Sequence, residues 1–142
     1  MSATVLLWLL LLSISSVEGL TIHAAPHGSE EHQLCGSASF PCALATALDM
    51  AVPHSTVLLA SGVYRGGYHV TVPVRLIASA NGTVILDGAS RHRPLTFENV
   101  RAHVEGIGFR NGLGEGAGCV LVNLITGGVD GPNNFTRCAF SN

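Results

Sequence analysis

The chain has 142 residues, seven basic side chains and nine acidic ones, for a formal net charge of −2. Every basic residue is arginine, and only 11% of the chain is charged, against a usual share of about 25%, so nothing in the balance attracts a phosphate backbone and nucleic acid is excluded as a partner. With seventeen glycines and 47% hydrophobic residues, the composition argues against an amphipathic helical bundle and for short buried strands joined by tight turns.

Val5 to Leu12 is an almost unbroken apolar run, followed by Ser13, Ser15, Ser16 and Val17-Glu18-Gly19. The run is shorter than the ~20 residues that a spanning helix needs, and small residues precede a cleavage point after Gly19. Residues 1–19 therefore read as a signal peptide, with no stable membrane span, and the mature protein as secreted or displayed on the extracellular surface. Residues 20–39 are polar, with His23, Pro26, His27, Gly28, Glu30, Glu31 and His32, and read as a flexible leader. The loose group His23, His27, His32 with Glu30 and Glu31 matches no closed metal geometry, so no metal or other cofactor is expected.

The four cysteines, Cys35, Cys42, Cys119 and Cys138, all follow the signal. An even count in an exported chain suits disulfides, with three possible pairings. The shortest loop favours Cys35 with Cys42, while Cys119 and Cys138 are expected to remain buried thiols. Asn81-Gly82-Thr83 and Asn134-Phe135-Thr136 are sequons, which makes Asn81 and Asn134 candidate glycosylation sites.

Leu44, Ala47, Leu48 and Ala51 recur at helical spacing behind Pro41, and Pro53 ends the pattern, which predicts a helix near residues 41–51. From Ser55 the period changes to two. Strands are expected at Thr56 to Ala60, Val70 to Leu76, Thr83 to Leu86, Leu95 to Phe97, Val104 to Phe109, Cys119 to Val122 and Phe135 to Phe140. No room is left for crossover helices, which excludes a doubly wound fold.

Val72 and Val74 map onto Leu95 and Phe97 at a step of 23 residues, and these onto Cys119 and Leu121 at 24; Val84 and Leu86 map onto Ile107 and Phe109 at 23, and these onto Cys138 and Phe140 at 31. Self-similarity of this period signals a solenoid. The same register stacks Asn99 over Asn123 and Asn111 over Asn142, as turn ladders. The fold class expected is all-β: a right-handed parallel β-helix solenoid over residues 40–142, with a short capping α-helix at its N-terminal end and incomplete at its C-terminal end.

The helix followed by Thr56-Val57-Leu58-Leu59-Ala60-Ser61-Gly62-Val63-Tyr64-Arg65-Gly66 resembles the cap and first rung of the pectin-lyase-like superfamily. Val104-Glu105-Gly106-Ile107-Gly108-Phe109-Arg110-Asn111-Gly112 is similar to a rung recurring there, and Phe135-Thr136-Arg137-Cys138-Ala139-Phe140-Ser141-Asn142 resembles the rung of polymorphic outer-membrane-type repeats. The resemblance implies the β-helix, but its enzymes use paired aspartates or an acidic calcium cluster with an arginine. Here Asp49, Asp87 and Asp130 are scattered, so no catalytic residue carries over. Arg91, Arg93, Arg101, Arg110 and Arg75 could face an anionic polysaccharide, although Arg75 aligns near Glu98 rather than beneath another arginine. Two functions follow: a non-catalytic protein that contacts extracellular glycans, or the N-terminal fragment of a pectate lyase, polygalacturonase or pectin esterase whose active site lies beyond residue 142.

Overall fold

A computed structural model describes residues 19–80, 82–113, 120–123 and 134–141. Residues 1–18 of the expected signal segment, and Asn81, Cys119, Asp130 and Asn142, thus fall outside the described residues. In chain order the elements are β1 (Thr21–Ser29), α1 (Leu44–Met50), β2 (Ser55–Leu59), β3 (Gly62–Arg65), β4 (Tyr68–Val70), β5 (Val74–Ala78), β6 (Val84–Asp87), β7 (Leu95–Glu98), β8 (Ala102–Glu105), β9 (Ile107–Arg110), β10 (Val120–Asn123), β11 (Asn134–Thr136) and β12 (Ala139–Phe140). None of the described helices is long and apolar enough to cross a membrane.

The strands form three sheets, ordered β1-β2-β5-β8-β11, β10-β7-β4 and β12-β9-β6-β3, and every pairing is parallel. This corrects the expected fold class. Several separate parallel sheets with about 47% strand and one short helix do not fit a single right-handed β-helix solenoid, because the sheets are not closed. The expected register also fails where it mattered most. Leu95 pairs with Tyr68, not Val72, on one side and with Val120 on the other; the expected position of Cys119 in that column lies outside the described residues. The step of 23 holds between β6 and β9, where Val84 meets Ile107 and Leu86 meets Phe109. Phe140 does pair with Phe109.

What aligns the strands is apolar burial at every second residue. Val57, Leu76, Val104 and Phe135 are register partners across β2, β5, β8 and β11, and the first three are fully buried. Tyr64, Leu86 and Phe109 form the matching inner column of the four-stranded sheet, and Val70 with Phe97 that of the three-stranded sheet. Parallel strands with covered faces need such runs, and truncating a residue of this kind to alanine costs about 2–5 kcal/mol. Phe135 joins the sheets, with its ring 6.0 Å from Phe97 and 6.4 Å from Phe109. The phenol of Tyr64 is buried but satisfied, donating to the carbonyls of Ala60 at 2.7 Å and Ala24 at 3.2 Å. Burial first, then neighbouring Tyr68, pushes its pKa well above the ordinary phenol range.

Much of the expected leader is strand. Ile22 and Ala24 point inward, alternating with the more exposed Thr21 and His23, a pattern that the surrounding polar residues obscured. Pro26 is tolerated because β1 is the edge of its sheet. The far side of β1 is covered by the segment that follows it: His23 N–H donates to Gly36 O at 2.8 Å, Ser29 N–H to Pro41 O at 2.9 Å, and Ala43 N–H to Ser29 O at 2.8 Å. Cys35 and Cys42 clamp that segment, their Cα atoms 4.9 Å apart at disulfide distance. The helix is shorter than expected: it begins at Leu44, after the cap residue Ala43, and not at Pro41, and it buries Leu44, Thr46 and Ala47. Cys138 is a half-buried thiol that approaches the carbonyls of Thr136 and Val104.

At the far end of β6, Asp87 is buried and accepts from Ala89 N–H at 2.8 Å, Arg110 Nε at 2.9 Å and Asn111 Nδ2 at 3.1 Å. Asn111 thus reaches back to a carboxylate, and its expected ladder partner Asn142 lies outside the described residues; Asn123 pairs with Glu98, not Asn99. The next residue must be glycine, since a Cβ on Gly88 would lie 2.1 Å from His92 O and 2.6 Å from Asn111 O. The Ala89 N–H first, with Asn111 and Arg110, holds the Asp87 carboxyl below its usual range against the opposing effect of burial.

Two outcomes are expected. Reducing the Cys35–Cys42 pair should cost about 2–3 kcal/mol and speed amide exchange in residues 30–43 before the strands of residues 74–110. Thiol labelling of denatured, unreduced protein should find two free thiols, and none or four would contradict this. For Asp87, a folded pKa below the unfolded one means its contribution is present above the unfolded value and is lost as pH falls through the folded one. Asp87→Asn should cost about 1–3 kcal/mol near neutrality. The gap to wild type should shrink as pH drops below about 4, and a gap constant with pH in thermal unfolding would refute the linkage.

Candidate functional site

The outward face of the five-stranded sheet carries residues that the inward columns force into line. With Val57, Leu76 and Val104 buried in register, the residues before them, Thr56, Arg75 and His103, stack outward, and Asn134 continues the row on β11. One residue ahead of the aligned Ser55, Val74 and Ala102 stand His54, Pro73 and Arg101, and His54 N–H donates to Pro73 O at 2.7 Å. Two of the corners here take left-handed backbone, His54 at φ 68° and Asn99 at φ 52°. Asparagine adopts this conformation more readily than most residues.

Together these rows wall a groove of about 610 Å³, floored by Pro73, Val74, Val100 and Ala102 and bearing Arg75, Arg101, His54, His103, Asn99 and Asn134. Among the described residues no carboxylate lines it, and no Phe, Tyr or Trp. Among the described residues neither Arg75 nor Arg101 has an acidic partner. The Nε of Arg101 is buried with no hydrogen-bond partner there, as is that of Arg93 outside the groove. An unsatisfied buried donor costs about 1–3 kcal/mol, so the groove holds donor capacity that the fold leaves unused.

His103 is oriented from two residues further along β8: its Nε2 lies 3.3 Å from Glu105 Oε2, and Arg137 also donates to Glu105. These bonds, His103 first, hold the Glu105 carboxyl below its usual range. Glu105 is thereby engaged, and it does not line the groove. The arrangement can hold an anion, or several spaced anions, through guanidinium, imidazole and carboxamide groups over an apolar floor.

The arginines suspected from sequence are divided by the fold. Arg75 and Arg101 meet in the groove, whereas Arg110 is committed to Asp87, and Arg91 and Arg93 sit on the turn after β6. Arg75 pairs with His103, not near Glu98; Glu98 lies in the three-stranded sheet, 3.1 Å from His69. His54, Asn99 and His103 were missed as site residues. Aligning Ser55-Thr56-Val57, Val74-Arg75-Leu76 and Ala102-His103-Val104 on their apolar frame would have placed His103. Among the other singled-out residues, Asn134 lines the groove, whereas Cys35 and Cys42 stand apart from it. His23 and His27 lie on β1, His32 faces Asp49 at 3.6 Å, and no group of three possible metal ligands occurs among the described residues.

Compared with known proteins, the chain matches no family model, no curated protein and no solved structure.

Proposed function

We propose that this is a secreted or cell-surface protein that holds an acidic extracellular polysaccharide in the groove, without transforming it. The observation that carries the reading is the convergence, on an open groove, of Arg75 and Arg101, with no acidic partner and no lining carboxylate among the described residues. Guanidinium groups bind carboxylates in two-pronged fashion, and Pro73 and Val100 offer an apolar floor to the ring faces of sugars. The asparagines add donors and acceptors for hydroxyls. Nucleic acid fits poorly, since the described residues of the groove include no Phe, Tyr or Trp on which bases could stack. Export is supported by the apolar run before Gly19 and by the Cys35–Cys42 pair.

Titration calorimetry with polygalacturonate at low salt tests this. Arg75→Ala and Arg101→Met should each weaken binding about tenfold, as expected for a charge-assisted contact of ~1.5 kcal/mol. Added salt should weaken it further. Arg101→Met also removes an orphaned donor, so its thermal stability should equal or exceed wild type. Equal binding of a neutral galactan, unchanged affinity in both variants, or release of shortened or unsaturated uronate products would overturn the reading.

A further inference from the structure

We propose that N-glycosylation of Asn134 is a gate on the groove: the same residue is both groove wall and sequon, so a glycan there and a bound polyanion exclude one another. The inference rests on the groove being the binding site. Asn134 is the first residue of β11, at the edge of the five-stranded sheet, and its side chain is exposed. Its Oδ1 accepts from Thr136 Oγ1 at 3.4 Å, so the two chemically essential members of the sequon sit side by side on one face of the strand. Its Nδ2, the atom that would carry the sugar, has no hydrogen-bond partner among the described residues. The half-buried Phe135, packed against the core, lies on the opposite face of the strand, so a glycan on the exposed Asn134 points away from the core.

Direction and reach make the gate. Asn134 pairs with His103, and His103 with Arg75, so Arg75 lies two strand spacings from the attachment point, roughly 10 Å. The first two sugars of an N-linked glycan span such a distance, and their neutral hydroxyls would lie over Arg75 and His103. In the attachment step Nδ2 loses one proton and forms a bond to the anomeric carbon of the first N-acetylglucosamine. The lipid diphosphate of the donor oligosaccharide leaves with the electrons of the broken C–O bond. The modification adds no charge and removes none, so its effect on a polyanion is by cover and not by neutralisation.

The test uses the full chain secreted from a eukaryotic cell line, as wild type, Thr136→Ala and Asn134→Gln. Thr136→Ala keeps the groove asparagine and removes the attachment signal, and Asn134→Gln guards against a folding defect in the first variant. Peptide mass spectrometry reads occupancy, phenylglyoxal labelling reads access to Arg75 and Arg101, and polygalacturonate binding reads function. The expected result is an occupied wild type whose two arginines react several-fold more slowly than in Thr136→Ala, with at least tenfold weaker polygalacturonate binding. An unoccupied Asn134, or equal labelling of occupied and unoccupied protein, overturns the gate. Slowed labelling with no polygalacturonate binding by either variant upholds the cover and overturns the acidic-glycan reading instead.

Discussion

The parallel register of the inward residues is the constraint on which the rest depends. Val57, Leu76 and Val104 are each fully buried and lie side by side on neighbouring strands. Side chains alternate along a strand, so a slip of one residue would send all three to solvent. That penalty fixes the outward residues as firmly as the inward ones. Arg75, His103 and Asn134 are neighbours because Leu76, Val104 and Phe135 must be. Residues from three separate strands thereby become one wall, with no contact among themselves needed to hold them there.

The legible part of the fold was local and the illegible part was the pairing. Strand positions could be read because valine, leucine and isoleucine alternate from Ser55 onward, and the helix because Leu44, Ala47 and Ala51 share a face. The step of 23 between β6 and β9 was legible too, since Val84-Ile85-Leu86 and Ile107-Gly108-Phe109 differ little in pattern. Elsewhere several apolar residues competed for one slot. Val72 and Val70 are equally plausible partners for the Leu95 strand, and only the turn at Pro73, which begins a new strand in a different sheet, decides for Val70 facing Phe97. Extending one step to all strands produced the solenoid, whereas the chain distributes its strands over three open sheets. β1 was hidden for a related reason: two inward residues, Ile22 and Ala24, are too few to stand out among histidines and glycines.

The site was less legible than the fold, because its chemistry lies in the residues that burial ignores. Arginine by itself marks any solvated surface, and the count of seven said nothing about which two converge. The groove arises from the coincidence of Arg75 inside a strand with Arg101 just ahead of the next one, brought together over a proline. Two described acids are engaged elsewhere: Asp87 is consumed by Arg110, and Glu105 by His103 and Arg137. A protein with net charge −2 can thus present a local cationic surface without a general affinity for anions.

The most direct test of this account is amide-resolved NMR of the unglycosylated chain titrated with a short oligogalacturonate. The account predicts that shifts concentrate at His54, Val74 to Leu76, Asn99 to Val104 and Asn134, four segments that only the parallel register brings together. Shifts centred on Arg91 and Arg93, or spread over the surface with no common locus, would contradict both the groove and the register that builds it.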